Sequence, residues 1–271
     1  MNTRNLIDIA GNLTNKAFRE DLPQVLARAE SAGVVGIIVA GVTAATSRRG
    51  WELACEQAAV STPSALRLVA TSGIHPHHAS EATPSVLAEI AEIATRDHVV
   101  AVGECGLDYN RDFSPRDVQR KAFEAQLEIA ASLRKPVYLH ERDAHEDFVA
   151  ILERWRPKLV RAVVHCFTGT HAVLERYVAM DVHIGFTGWI CDERRGTHLR
   201  ELVQLVPQGR LMVETDAPYI LPRDMRPRPS SGRNEPAFVA HVARAVAAAR
   251  GESFESLAEH STLAARAFFA M

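Results

Sequence analysis

Residues 99–110 read VVAVGECGLDYN, an apolar, β-branched run that finishes on a carboxylate, Glu104. Three further runs finish the same way. The one in PVYLHERDAH (136–145) ends on His140, the one in RAVVHCFTGT (161–170) on His165, and the one in RLMVETDAPY (210–219) on Asp216. Each of these side chains is a potential metal ligand placed where a strand gives way to a loop. Parallel-barrel enzymes build their active sites at that end of the strands, drawing on several strands at once. A single carboxylate or imidazole there can be a core group satisfied by hydrogen bonds. Four at the same end of successive strands read as a metal site.

Apolar runs of this kind recur along the chain, near Asn5–Ala10, Val34–Ala40, Leu68–Ile74, Val99–Glu104, Pro136–His140, Arg161–His165, Val182–Phe186 and Arg210–Thr215. They lack polar alternation, as strands buried on both faces do. Helical patterns lie between them. Thr83-Pro84 and Ser114-Pro115 each set an N-cap residue before a proline at the first helical position. The stretch Leu22–Ala32 stops at Gly33, a C-terminal cap glycine. Helical stretches near Ala237–Ala249 and Ser253–Phe269 close the chain. Strand and helix alternating eight times predict a (β/α)8 TIM barrel of the metal-dependent hydrolase type; periodicity counts strands without showing closure, so an open doubly wound sheet is the alternative. At 271 residues with no linker or low-complexity tract, residues 1–271 are expected to form a single domain.

Hydrophobic residues make up 47% of the chain, enough for a large core, and the net charge of −2 gives no global basic field. A nuclease that grips a few phosphates needs none. The N-terminal MNTRNLIDIAGNL shows no signal peptide, and no run approaches the roughly 20 apolar residues of a membrane span. Cys55, Cys105, Cys166 and Cys191 form no CxxC and sit in or beside apolar segments, as reduced cysteines of a cytoplasmic protein do.

Two imidazoles with carboxylates suit Zn²⁺, Mn²⁺ or Fe²⁺, and a carboxylate-rich site also admits Mg²⁺. Glu104 is placed to bridge two ions, and Asp216 to act as ligand, as general base, or both. His75, in GIHPHH, follows the third strand on the same face; His77 and His78 beside it read as solvated loop histidines, and His145 as structural. Arg223, Arg226, Arg228 and Arg233 crowd the irregular segment 221–236 after the eighth strand, where guanidinium groups match phosphate geometry. Arg194 and Arg195 form a weaker second group. Trp189 and Tyr219 sit on loops at this face, where aromatic rings can stack on bases. Cys105 and Cys166 follow proposed ligands, and strand alternation is expected to turn both away from the metal.

The motifs DIAGNLT, GIHPH, GECGLDYN, LHERDAHEDF, HCFTGT, GFTGWICDERRG, ETDAPYILPRD and RNEP, spread over nearly the whole chain, resemble those of the TatD family of metal-dependent deoxyribonucleases, in the amidohydrolase-like barrel superfamily. The resemblance implies that Glu104, His140 and His165 bind divalent metal, that Asp216 completes the site, and that His75 approaches the scissile phosphate. It further implies 3′→5′ exonuclease action on DNA, above all single-stranded DNA, with RNA as a second substrate and DNA repair as the setting. Most relatives open with Asp-x-His-x-His on strand one. Here the stretch is Asp8-Ile9-Ala10-Gly11-Asn12, without either histidine. One tightly held ion, Mg²⁺ foremost with Mn²⁺ or Zn²⁺ as alternatives, is therefore expected at Glu104–His140–His165, with a second ion weak and arriving with substrate. The expected form is a monomer. Two other functions compete: hydrolysis of an amide or ester, such as the aminoacyl ester cut by a D-aminoacyl-tRNA deacylase, and a non-catalytic binding protein. The arginine-rich loop favours phosphate over the first, and the intact ligand set argues against the second.

Overall fold

The computed structural model describes residues 5–60 and 66–271; residues 1–4, part of the N-terminal stretch read for a signal peptide, lie outside them. All eight expected runs form strands: β1 (Leu6–Gly11), β2 (Val34–Val39), β3 (Arg67–Ser72), β4 (Val99–Asp108), β5 (Val137–Arg142), β6 (Ala162–Val164), β7 (His183–Phe186) and β8 (Leu211–Val213). Neighbours pair in parallel in the order β1 to β8, and a bridge between Gly11 and Ala217 joins the last strand's loop to the first. The sheet is thus a TIM barrel and not an open sheet. Helices α1 (Leu22–Ser31), α2 (Ala44–Ala58), α3 (Pro84–Ala94), α4 (Arg116–Leu133), α5 (His145–Trp155), α6 (His171–Ala179), α7 (Thr197–Leu202), α8 (Val239–Arg250) and α9 (Phe254–Phe269) surround it. Among the described residues, no helix is long and apolar enough to cross a membrane.

Local chemistry explains the boundaries. The hydroxyl of Thr83 accepts from Val86 N ahead of Pro84, so α3 begins as the sequence predicts. Gly33 follows α1 at φ 88°, in the left-handed region where a residue without Cβ is unstrained. Ser114 departs from expectation: α4 starts after Pro115, and the Ser114 hydroxyl accepts from Ser80 N and donates to His77 O. That serine ties the loop of His77 to the loop after β4.

The barrel is filled by Ile7, Ile9, Ile38, Val69, Ala101, Tyr138, Val163 and Met212, and its N-terminal end is plugged by Ala264, Ala265, Phe268 and Phe269 of α9. Alanines on the α9 face let the helix approach closely while the phenylalanines fill the mouth. His183, at the start of β7, packs edge-on against Phe268 with ring centroids 4.9 Å apart. Burial, with the positive charge of Arg210 next, lowers its pKa to about 4. Folding therefore keeps this imidazole neutral, while the unfolded chain takes up a proton near the ordinary histidine value of about 6.5. The sign follows: the stability is present above that value and drains as pH falls toward about 4, by up to about 3 kcal/mol at 1.36 kcal/mol per unit. His183→Leu should flatten the fall in denaturation midpoint between pH 7 and 4; a slope equal to wild type would place the acid sensitivity elsewhere.

Candidate metal centre and cavity

At the C-terminal mouth of the barrel lies a cavity of about 770 Å³ whose lining includes His75, Glu104, His140, His165 and Asp216. All five residues singled out from sequence meet there, although not all at strand ends. β4 runs four residues past Glu104, to Asp108, and β5 runs past His140 to Arg142. His165 and Asp216 lie just beyond β6 and β8, and His75 three residues beyond β3. The extension of β4 depends on Gly106, which stands at φ 145° opposite His140; a Cβ there would overlap the His140 carbonyl oxygen.

Glu104 Oε1 is the focus of the cluster. His165 Nε2 lies 2.8 Å from it, His140 Nδ1 3.0 Å and His75 Nε2 3.3 Å. Burial alone would raise the Glu104 pKa, but the surrounding imidazoles, His165 and His75 foremost, outweigh it and hold the carboxyl well below its usual range. Burial likewise opposes protonation of His165, and the carboxylates of Glu104 and Glu214 reverse this and raise it well above the usual value. His140 is raised too, against its burial, by Asp108 and Glu104. Asp216 goes the other way. Its desolvation, with Glu104 and Glu214 nearby, pushes it up to about 7 although His165 opposes the shift.

Excess negative charge around converging imidazoles is what a divalent cation neutralises, and here protons on His140 and His165 do part of that work. The outer nitrogens His165 Nδ1 and His140 Nε2 make no close hydrogen bond but face the carboxylates of Glu214 at 3.7 Å and Asp108 at 3.4 Å, so His165 Nε2 and His140 Nδ1 turn together toward Glu104. Metal-binding imidazoles are commonly held in this way by a carboxylate on the other ring nitrogen. The donor set therefore fits a metal ion. His75 fits it less well than its position suggests. Its Nδ1 accepts from His77 N at 3.1 Å, which puts the ring proton on Nε2, and a protonated nitrogen donates a hydrogen bond and cannot ligate. Burial lowers His75 to about 4, so at neutral pH it is an uncharged donor.

Several residues here escaped sequence reasoning. Asp108 accepts from or pairs with His77 Nε2 at 2.8 Å and faces His140 Nε2 at 3.4 Å. Strand alternation from Glu104 was the available signal, since residues 104, 106 and 108 share a face. His77 is consequently engaged with the site, although its side chain stays partly exposed, whereas His78 pairs with Glu81. Glu214 is wholly buried, accepts the Cys166 N–H and faces His165 Nδ1 at 3.7 Å. Gly185 leaves room for it: a Cβ there would stand 3.0 Å from the Glu214 carboxyl. Asp8, pushed up to about 8 by burial, accepts from Thr215 N, Thr215 Oγ1 and Ala10 N, and so anchors the 214–216 turn to β1.

The strand-one positions are Ala10, fully buried, and Asn12, whose Nδ2 donates to Asp216 Oδ1 at 2.8 Å. Asn12 thus steadies Asp216. Cys105 is buried away from the cavity as expected, but Cys166 lines it. Its backbone takes φ 50° just after β6, which breaks the alternation that would have turned it away.

The cavity's guanidinium groups are Arg111, Arg142 and Arg195, each exposed. Two exposed aromatic side chains, Phe113 (67%) and Tyr219 (54%), share the lining, as does Trp189, over whose ring Arg195 lies at 4.9 Å. Arg223, Arg226, Arg228 and Arg233 are not in this lining. Arg233 is occupied by Asp21 at 2.6 Å and Glu235 at 2.7 Å, a pairing that fixes segment 221–236 to α1. Arg226 donates to the carbonyls of Arg223 and Met225, Arg223 faces Asp192 at 3.7 Å, and Arg228 is exposed. Arg194 is likewise outside the lining, and His145 packs edge-on against Tyr177 as a structural residue would.

A family model described as "TatD related DNase" matches residues 7–270. A protein of Pantoea vagans named 3′-5′ ssDNA/RNA exonuclease TatD is 49% identical over 264 residues, covering 97% of this chain and 99% of its own. One of the same name from Erwinia amylovora is 49% identical over 266 residues, covering 98% and 100%. The crystal structure of YjjV, a TatD homolog from Escherichia coli K12, superposes with a TM-score of 0.87 at 28% identity over the full length of both chains.

Proposed function

The chain belongs to the TatD-related DNase family, and from that premise we propose a metal-dependent 3′→5′ exonuclease acting on single-stranded DNA and on RNA, with DNA repair as its setting. The observation that carries this is the convergence of His75, His140 and His165 on Glu104 Oε1, inside a cavity rimmed by arginines and aromatic rings. A rim of that kind suits a phosphodiester chain with bases to stack, which favours nucleic acid over a small ester or amide. We read residues 1–271 as one domain and the enzyme as a monomer working in the cytoplasm.

Glu104, His140 and His165 would hold the ion, with Asp216 at its edge. When bound, the cation supplies positive charge that offsets the phosphate's and favours ionisation of the attacking water. Glu214, facing His165 Nδ1, fixes that ring's orientation and leaves Nε2 for the site. Asp216 near 7 is suited to accept the water's proton at neutral pH, with Asn12 occupying Oδ1 and leaving Oδ2 for the task. His75, protonated on Nε2, donates toward a phosphate oxygen. Arg111, Arg142 and Arg195 grip the chain near the scissile bond, while Arg223, Arg226 and Arg228 reach phosphates farther along a longer strand.

The test is metal-stripped protein resupplied with Mg²⁺, Mn²⁺ or Zn²⁺ and given single-stranded DNA labelled at either end. A 3′ label should leave at once as mononucleotide while a 5′ label shortens stepwise; the reverse order would overturn the polarity. Mg²⁺ is the proposed ion, because it commonly binds through one or two carboxylates plus substrate phosphate. With Ala10 and Asn12 in place of imidazoles, calorimetric titration of the free enzyme with Mg²⁺ should show one tight site and a second at least about tenfold weaker. Two equally tight sites would refute that order.

A further inference from the structure

We infer that Cys191, Asp224 and His241 form a second metal site, selective for Zn²⁺, on the flank of the barrel beside the cavity. Cys191 ends the short turn Gly188–Cys191 after β7, Asp224 lies in segment 221–236 after β8, and His241 is in the first turn of α8. Their donor atoms all lie within 4.8 Å of one another, and His241 Nε2 stands 2.7 Å from Asp224 Oδ1. Cys191 is buried, His241 half-buried and Asp224 exposed. None of the three lines the cavity.

The donor chemistry decides for a metal over a plain hydrogen-bonded clip. A thiol is a weak hydrogen-bond partner and contributes little to such a clip, whereas its thiolate is a strong ligand for zinc. One thiolate, one imidazole and one carboxylate are a zinc set, with the fourth tetrahedral position open to water on the exposed Asp224 side. The set disfavours Mg²⁺, which takes oxygen ligands. On binding, the thiol proton passes to solvent, and the neutral His241 ring carries its proton on Nδ1, which leaves Nε2 for the metal.

The location gives such an ion a consequence. Asp192, next to Cys191, accepts the backbone N–H groups of Arg194 and Arg195 and faces the side chains of Arg195 and Arg223. Segment 221–236 carries Arg223, Arg226 and Arg228. An ion bridging Cys191, Asp224 and His241 therefore pins together the two loops that carry cationic groups beside the cavity.

Co²⁺ reports the site, because a thiolate ligand gives a near-ultraviolet charge-transfer band that nitrogen and oxygen ligands do not. The chelator-treated full chain should show the band, saturating by two equivalents, one for this site and one for the catalytic centre. Cys191→Ser should abolish it, and Cys166→Ser should leave it intact. His241→Ala, on the helix surface, should weaken it by at least about tenfold and remains decisive if Cys191→Ser does not fold. Absence of the band in the unmutated protein would overturn the proposal. So would its survival in Cys191→Ser, its loss in Cys166→Ser, or an unchanged titration in His241→Ala.

Discussion

Glu104→Gln should lower turnover on single-stranded DNA by about a thousandfold or more while leaving a cooperatively folding barrel. The amide keeps the shape of the carboxylate and removes the one charge on which His75, His140 and His165 converge. Without it His165 loses its main anionic partner, His140 keeps only Asp108, and the proposed metal centre loses its central carboxylate. Removing one partner of a buried charged cluster is commonly costly. Here the imidazoles can shed their protons instead, and the apolar filling of the barrel is untouched, so stability should change far less than activity. Single-turnover rates at saturating Mg²⁺, with melting curves on the same samples, make the comparison. Turnover within about tenfold of wild type would dismiss Glu104 as the centre of the chemistry, since the loss would be under about 1.4 kcal/mol of transition-state stabilisation.

The barrel, and the meeting of Glu104, His140 and His165 at its mouth, were legible in the sequence because both depend on short-range pattern. Apolar runs of strand length alternate with capped helices, and each of Glu104, His140 and His165 follows or ends such a run. What stayed hidden depends on where a strand stops or on partners far apart in the chain. β4 continues through Gly-Leu-Asp, a stretch without β-branched residues, so Asp108 looked like loop. Cys166 obeys the left-handed turn after β6 and not the strand's alternation. Among the arginines, the cluster at 223–233 stood out by local density, yet it lies outside the cavity lining and Arg233 is claimed by Asp21, some 200 positions earlier, while Arg111 just past β4 and Arg142 at the end of β5 arrive singly and left no cluster to notice.

That contrast can be measured. Arg111, Arg142 and Arg195 changed together to alanine should weaken binding of a short single-stranded oligonucleotide about a hundredfold at low salt, taking about 1 kcal/mol for each charged contact after screening. The plot of log affinity against log salt should flatten by about 2, because each lost contact on a single strand releases about 0.7 fewer counterions. A trinucleotide that fills only the cavity should show nearly the whole effect. Changing Arg223, Arg226 and Arg228 instead should leave the trinucleotide almost untouched and weaken only longer strands, since those side chains lie outside the lining. Arg195 also lies over Trp189, so its loss could act through the ring; Arg195→Lys keeps the charge and should restore the salt slope while restoring less of the affinity, for want of the planar guanidinium. Equal salt slopes for the wild type and the cavity triple variant would remove these three residues from the phosphate path and return the grip on the strand to segment 221–236.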